Sequence, residues 1–413
     1  MKSKLRQILG NIISNEVSAD LRGGEKVIIS QLSDNLEECI AMTEMYQQIW
    51  SCGDVPEISG GTGKYFISSV NNPDRIKEFA ESIVTYDFDN LNMLWFVGRL
   101  KGSIINAGAL MFDHNNERLE KGRAATHPDH EGKGAYGKLS KVQKDAWERI
   151  GYVVESETNT MHKKTQKVCE EDLGMPSVGF LPLKYEIPSA DQWIKKQELK
   201  GLSVELIYFD KRVSVVKNIL FTGGHLNKRI PETYIIDEIK GLQDIVDSKI
   251  STLTIKNGTG SEEYTSEERL DYSTLGLGKK ELYTVDDDDT CKWLKLRNSK
   301  DLDLESVKAY AKSQDIVRKY IEIEVGTSEE DLKEQRRLID HGFFPTAYIP
   351  VYGKKGDYRE DRILMSHLVN PQELINYLEK INGNNLEKLV ISSVLPIAKE
   401  VISNAKKSLG YSS

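Results

Sequence analysis

The stretch Ala124–Leu139 reads AATHPDHEGKGAYGKL, and it decides the fold because it joins a strand to a helix through a glycine-rich turn. The pattern predicts a strand that ends at Thr126, a turn through Pro128 and a helix that begins near Gly134. Gly132 and Gly134 can adopt backbone conformations that are closed to other residues. The N–H groups exposed at such a helix start form a nest for an anion, and the helix dipole favours the negative charge. The segment predicts a phosphate-binding turn, and the alternative is a glycine turn that binds no ligand.

The turn differs from two widespread phosphate-binding motifs. A Rossmann fingerprint is excluded because the preceding strands form a meander and not the βαβ unit that the motif requires. A P-loop is excluded because no GK[ST] follows the glycines. Lys133, which stands between the two glycines, either adds a positive charge to the nest or points into solvent.

Working outward from the turn, short apolar runs separated by Gly, Asn and Asp predict an antiparallel meander on its N-terminal side. Alternating strands and helices are predicted on its C-terminal side. The strands predicted in chain order cover 27–29, 65–67, 93–98, 103–112, 118–126, 152–157 and 178–185. The predicted helices cover 33–50, 73–82, 134–150 and 160–172.

The second half of the chain contains an echo of the first. Residues 152–182 align without a gap with residues 320–350, at an offset of 168 residues that superimposes Gly174 on Gly342. Both segments predict a strand, a helix, a glycine followed by a hydrophobic residue, and a strand, which favours a duplicated domain. A polar stretch over 195–200 resembles a linker, so we expect domains at 1–190 and 191–413.

Composition limits the class of protein. The 413 residues are 39% hydrophobic and 29% charged, which is typical of a folded soluble protein and excludes collagen-like, disulfide-scaffold and wholly disordered chains. A net charge of −8 argues against a nucleic-acid partner. Four cysteines without CxxC or Cys/His pairing favour a reduced, cytoplasmic setting and no structural zinc. No segment approaches the ~20 apolar residues that span a bilayer, so no membrane association is expected. The acidic run 286–289 is read as a solvated turn, and no metal is expected.

The order of the elements and the sequence of the turn resemble the GNAT N-acetyltransferases. The acyl-CoA loop of that family has the form Arg/Gln-x-x-Gly-x-Gly/Ala and often follows a strand and a proline. Pro128, Gly132 and Gly134 match this pattern. Glu131 stands where Arg or Gln is usual, and Tyr136 stands where Gly or Ala is usual.

The resemblance covers residues 27–185 and implies a fold class. It implies α/β (α+β) architecture with two GNAT-like domains, each a mixed, mostly antiparallel twisted sheet flanked by helices. The second half resembles the family only in its final third and lacks a glycine-rich loop, so a degenerate C-terminal domain is implied. The cosubstrate implied is acetyl-CoA, and the residues implied to contact it are Ala125, Thr126, His127, Gly132, Lys133, Gly134, Ala135, Tyr136, Gly137 and His162.

The resemblance also implies a direct reaction, in which an amine attacks the thioester within one ternary complex. A backbone N–H from Ala125, Thr126 or His127 is expected to polarise the thioester carbonyl. A base must keep the attacking amine neutral, and the leaving thiolate must receive a proton. The residues proposed as base are Glu155 and Glu157, which share one strand face, and His127. The residue that aligns with the family's proton donor is Cys169, with Tyr136 ranked below it.

Three functions are open at this point. The first is a cytoplasmic N-acetyltransferase whose acceptor is a small-molecule amine, with a homodimer as one assembly to test. The second is a catalytically weak acyl-CoA sensor, which Glu131 and Tyr136 motivate. The third is a Fem-like aminoacyl transferase that uses charged tRNA, against which the acidic composition and the glycine loop both argue.

Overall fold

The computed structural model describes residues 11–12, 15–33, 35–50, 93–113, 116–160, 163–186, 212–222, 224–257, 286–288, 293–296, 303–312, 320–381 and 383–410. They form two compact units. The first comprises Met1–Glu157, Glu171–Gly174 and Leu220–Gly223, and the second comprises Thr158–Glu170, Met175–Ile219 and Gly224–Ser413. The boundary expected between residues 190 and 191 lies outside the described residues, so the division at that point stays a prediction.

The first unit is a sheet whose strands are neighbours in chain order. All neighbouring pairs are antiparallel except β5 and β6, which run parallel. A parallel pair requires a crossover, and the helix α2 (Ala135–Ile150) supplies it. The strands are β1 (Val17–Asp20), β2 (Lys26–Gln31), β3 (Met93–Leu100), β4 (Ser103–Asp113), β5 (Arg118–Thr126) and β6 (Val153–Asn159).

Among the described residues, one helix packs on each face of this sheet. The helix α1 (Leu36–Trp50) packs Met42 and Tyr46 against Trp95 and Ala109, because alternate residues of β3 and β4 face it. On the opposite face α2 approaches the sheet so closely that a Cβ at Gly108 would lie 3.3 Å from a methyl group of Leu139. The two faces therefore have separate environments.

The second unit contains the remaining described strands, which are also mostly antiparallel. Its strand order is β8-β7-β12-β13-β11-β10-β9, and only β10 and β11 are parallel. These strands are β7 (Ser177–Glu186), β8 (Arg212–Leu220), β9 (Asp286–Asp288), β10 (Trp293–Leu296), β11 (Tyr320–Gly326), β12 (Phe344–Lys355) and β13 (Tyr358–Leu368). Its helices are α3 (Lys163–Lys167), α4 (Asp237–Asn257), α5 (Leu304–Ala311), α6 (Asp331–Asp340), α7 (Pro371–Lys380), α8 (Gly383–Leu389) and α9 (Leu395–Ser408).

The two segments of the sequence echo share backbone details. Gly174 and Gly342 both have positive φ, of +70° and +79°. Leu183 and Val351, which are also 168 residues apart, have φ of +54° and +51°, a region that non-glycine residues rarely occupy. These shared features support the predicted duplication, which remains a prediction.

The two strained residues are held in the same way. The Leu183 N–H donates to Ser214 Oγ at 3.0 Å, and the Val351 N–H donates to Asp361 Oδ1 at 2.9 Å. In both cases the acceptor lies on the next strand, opposite an interruption of the antiparallel register. Each strand therefore bends at a bulge that a buried side chain fixes.

The mixed α/β class with mostly antiparallel sheets and flanking helices is confirmed, as are the predicted meander and the helix that follows the glycine turn. The helix expected over 160–172 is α3 followed by a π-helical turn, Val168–Asp172. The first three residues of the acidic run form the short strand β9 rather than a turn. The elements expected at 65–67 and 73–82 lie outside the described residues.

Gly179 has no room for a side chain. It is in register with Ala347 of β12, and a Cβ at position 179 would touch the Ala347 Cβ and lie 2.7 Å from the Thr346 carbonyl oxygen. We expect Gly179→Ala to lower the free energy of unfolding by ~1–3 kcal/mol, because the strands must move apart to accept the methyl group. Urea unfolding followed by circular dichroism measures this. Gly137→Ala is the control, since nothing lies within 4 Å of its Cβ position. Equal stability of Gly179→Ala and wild type would contradict the prediction.

Candidate functional site

A gap opens between β5 and β6 at their C-terminal ends. The parallel register runs from Arg118 opposite Val153 to Lys121 opposite Ser156. The register ends there, although β5 continues to Thr126 and β6 to Asn159. The last part of β5 therefore presents one edge to the gap, and this is the separation of strands that the resemblance implied.

A β-bulge in β5 lies immediately beyond the last paired residues. Gly122 is opposite Ala109 and Ala125 is opposite Ala107, so two residues of β5 face one residue of β4. Within the bulge Arg123 has φ of +51°. The buried Tyr46 hydroxyl of α1 donates a hydrogen bond to the Arg123 carbonyl oxygen. Burial raises the pKa of the Tyr46 phenol well above its usual value, so this hydroxyl remains a donor.

The amides at the end of β5 point in alternating directions. The His127 N–H donates to the Ile105 carbonyl of β4 at 2.8 Å. Because hydrogen-bonded and non-hydrogen-bonded pairs alternate in an antiparallel ladder, Thr126, opposite Asn106, directs its N–H away from β4 and towards the gap. Among the amides predicted to polarise a carbonyl, the Thr126 N–H points into the gap, as that role requires. The His127 N–H would first have to break its hydrogen bond to β4.

The glycine turn adopts the conformation that the sequence predicted. Gly132 and Gly134 have φ of +79° and +87°, and Gly134 is the N-cap of α2 without a side-chain cap. The first intrahelical bond shown runs from the Lys138 N–H to the Gly134 carbonyl at 3.2 Å, so the N–H groups of residues 135–137 point out of the helix start. No atom of the described residues lies within 4 Å of the Cβ positions of Gly132, Gly134 and Gly137, so that part of the chain leaves the backbone there open to a ligand.

The charge of Lys133 is directed away from this opening. Its ammonium lies 3.2 Å from the Glu25 carboxylate, and its carbonyl accepts a hydrogen bond from the Arg22 N–H at 3.0 Å. The β1–β2 hairpin therefore holds the turn from outside. Glu131, which occupies the family's Arg/Gln position, is exposed. The nest thus consists mainly of backbone N–H groups.

Two histidines flank the turn. His127 Nδ1 accepts a hydrogen bond from the Asp129 N–H at 3.3 Å. A neutral ring that accepts at Nδ1 carries its proton on Nε2, so it presents a donor rather than a base to a ligand. The pKa of His130 is lowered by partial burial and by the neighbouring charge of Lys133. Because the hydrogen bond at Nδ1 leaves His127 with a donor at Nε2, a carboxylate is favoured over His127 as the base.

Lys121 and Tyr136 meet on the α2 face of the sheet. The Lys121 ammonium donates to the Tyr136 hydroxyl at 2.7 Å and lies 4.6 Å from the centre of its ring. Tyr136 therefore points down towards the inner end of the strand gap. The Tyr136 side chain is therefore directed to Lys121 and not into the nest.

The acidic residues of β6 lie on the other face. Glu155 is in register with Glu120, and Glu120 is opposite Met111, which packs against the α1 core. Glu155 and Glu157 therefore share the α1 face with Glu120. Gly122 follows Glu120 on this face, and a Cβ there would lie 2.7 Å from the Met111 Cε. Met111 therefore occupies the space that a side chain at position 122 would take.

Sequence reasoning overlooked Glu120 and Lys121. Alternation along 118–126 could have assigned them to opposite faces, but only the register with β6 brings them next to Glu155 and Ser156. Cys169 is fully buried in the second unit, and His162 lies outside the described residues. Their predicted roles remain predictions.

Two wider searches gave negative results for the part of the chain that is described. No helix there is long and apolar enough to cross a membrane. Within the same residues, no group of three or more His, Cys, Asp and Glu side chains converges as a metal site would require.

Comparison with solved structures returns acetyltransferases. A putative acetyltransferase from Salmonella typhimurium, solved with its cofactor acetyl-CoA, is 16% identical, with a TM-score of 0.32 over 50% of this chain and 94% of that one. The ribosomal-protein-S5-alanine acetyltransferase from Vibrio fischeri is 13% identical, with a TM-score of 0.32 over 49% and 96%. A putative acetyltransferase of the GNAT family from Desulfovibrio desulfuricans is 10% identical, with a TM-score of 0.31 over 47% and 98%. No protein-family model and no curated protein matches the sequence.

The hydroxyl of Tyr46 should stabilise the bulge. We expect Tyr46→Phe to lower the free energy of unfolding by ~1 kcal/mol, because the Arg123 carbonyl loses its donor and no water replaces it easily in the core. Thermal unfolding measures the change. Tyr310→Phe, at an exposed tyrosine, is the control and should stay within ~0.5 kcal/mol of wild type. Identical behaviour of the two variants would show that the hydroxyl does not hold the bulge.

Proposed function

We propose that this protein is a GNAT-like N-acetyltransferase that transfers the acetyl group of acetyl-CoA to a small-molecule amine by direct attack in a ternary complex. The observation that carries the proposal is the junction of two features. The gap between β5 and β6 ends at Thr126, and the open nest of residues 132–137 begins just beyond it. One extended ligand with a phosphate end and an acyl end fits this junction.

The residues present fit the pyrophosphate of acetyl-CoA. Gly132 and Gly134 leave the backbone open, and the N–H groups at the start of α2 face outward with the positive end of the helix dipole. These groups would hold the phosphates without a positive side chain. Thr126 would direct its N–H at the acyl carbonyl and stabilise the negative charge that develops on its oxygen. When bound, acetyl-CoA supplies the activated acyl group.

The acceptor would approach from the opposite face. Glu120, Glu155 and Glu157 lie on the α1 side of the gap, whereas α2 and its nest cover the other side. A carboxylate placed there can attract a cationic amine and remove a proton from it. We therefore propose Glu155 or Glu157 as the base and a small cationic amine as the acceptor class. The buried free thiols of Cys39 and Cys169 accord with the proposed cytoplasmic setting.

A second candidate, an acyl-CoA sensor, is favoured by the charges around the loop. Glu131 replaces the family's basic residue, and Lys133 is paired with Glu25 instead of facing the nest. A nest of this kind binds phosphate more weakly than one with a positive side chain. Acetyl-CoA binding without turnover on any amine would favour this candidate.

Binding is tested by changing the conformation of the nest. We expect Gly134→Ala to weaken acetyl-CoA binding at least about tenfold, since alanine at φ of +87° costs ~1–2 kcal/mol and tilts the first N–H groups of α2. Isothermal titration calorimetry measures the dissociation constant. Gly102→Ala is a matched control, because Gly102 also has φ of +87° with no atom within 4 Å but lies in the β3–β4 turn. The absence of wild-type binding at millimolar acetyl-CoA would refute the proposed function.

Turnover is tested at the carboxylates. With an amine panel that includes polyamines and amino acids, we expect wild-type protein to release CoA. Glu155→Gln or Glu157→Gln should reduce the rate about 10²-fold, because a glutamine cannot accept the amine proton. Free thiol is followed with a thiol reagent. Glu148→Gln, on the exposed side of α2, should leave the rate unchanged. If both β6 variants retain full activity, neither residue is the base.

A further inference from the structure

Lys121 and Tyr136 form an ammonium–phenol pair at the inner end of the strand gap. The Lys121 Nζ donates to the Tyr136 Oη at 2.7 Å, and Lys121 is only 3% exposed. Lys121 is also the last residue of β5 in register with β6, and its carbonyl accepts a hydrogen bond from Ser156 Oγ at 3.1 Å. The backbone of the lysine is therefore fixed where the strands separate.

Packing alone does not account for a lysine at this position. Burying an ammonium is costly unless it is hydrogen bonded, and the residue two positions earlier on the same face, Leu119, is apolar and fully buried. An apolar residue at position 121 would fill the same layer without that cost. The lysine instead delivers an N–H to a phenol whose backbone belongs to the predicted phosphate nest.

We propose that Tyr136 is the catalytic acid of the acetyl transfer and that Lys121 is its positioning residue, an inference that rests on the proposed function. As the bond between the amine nitrogen and the acyl carbon forms, the carbon–sulfur bond breaks and its electron pair goes to sulfur. Tyr136 gives its Oη proton to that sulfur. The N–H of Lys121 stabilises the phenolate oxygen that remains. The proton that the nitrogen loses on amide formation passes through a β6 carboxylate or solvent and restores the phenol.

The geometry favours Tyr136 over Cys169 for this role. Cys169, which the resemblance aligned with the family's proton donor, is 0% exposed. Tyr136 is partly exposed and belongs to the first turn of α2, so one short segment would hold the phosphates and protonate the sulfur.

The first test separates binding from turnover. Tyr136→Phe should keep the dissociation constant of acetyl-CoA within about threefold of wild type while turnover falls about 10²-fold, since phenylalanine fills the same space without a proton. Lys121→Met should cause a similar loss, and Lys121→Arg should restore most of it, because arginine can still donate to the Tyr136 oxygen. The control is Tyr152→Phe, at the far end of the β6 register. A binding loss that matches the turnover loss would reduce Tyr136 to a packing role and overturn the proposal.

The second test needs no acceptor. With CoA bound, the ultraviolet absorbance of the thiolate measures how much of the thiol is ionised at each pH. A hydroxyl that donates to the sulfur stabilises the thiolate, so Tyr136→Phe should reduce the ionised fraction at a given pH, and Tyr152→Phe should not. An unchanged fraction in Tyr136→Phe would overturn the proposal even if wild-type protein is active. A wild type that binds CoA without turnover would refute the transferase and with it the catalytic role of Tyr136, even if the thiolate measurement shows that Tyr136 donates to the sulfur. A wild type that binds no CoA would overturn both proposals.

Discussion

Lys121 and Ser156 are the last residues at which β5 and β6 share a register, and the candidate site depends on that separation. A parallel pair that continued to the ends of both strands would satisfy the edge of β5 with backbone bonds and leave no place for a ligand. The bulge at Arg123 turns the strand at this point, and the Tyr46 hydroxyl holds the bulge from the α1 side. The core helix thus helps to define the opening.

Much of the first unit follows from local sequence. The meander is predictable because glycine and asparagine separate apolar runs, and the glycine turn is predictable because positive φ is a property of single residues such as Gly132. Partners distant in sequence are not predictable in this way. Glu25 and Lys133 are 108 residues apart, and Glu120 meets Glu155 only through the register of two parallel strands. The nest is therefore predictable from the sequence, whereas the direction of the Lys133 side chain, which points to Glu25, is not.

The two departures from the family loop have different structural meanings. Glu131 is exposed, so its negative charge is screened by solvent and need not face the phosphates. Tyr136 is directed to a buried lysine instead of into the nest. In a one-dimensional comparison both residues weaken the match equally. In three dimensions one is a tolerated surface charge and the other introduces a new functional group next to the strand gap.

Gly179 and Ala347 occupy equivalent positions of the sequence echo and also face each other between β7 and β12, so the predicted duplication would place a local twofold axis between them. In a symmetric dimer of identical chains the two residues on such an axis must be the same. Two alanines would collide, because a Cβ at position 179 would touch the Cβ of Ala347. Two glycines would remove the side-chain contact and increase the conformational freedom of the unfolded backbone. A single chain removes this restriction, since each side of the axis is encoded separately. A single chain can therefore pair a glycine with an alanine at these two positions, which a symmetric dimer of identical chains could not do.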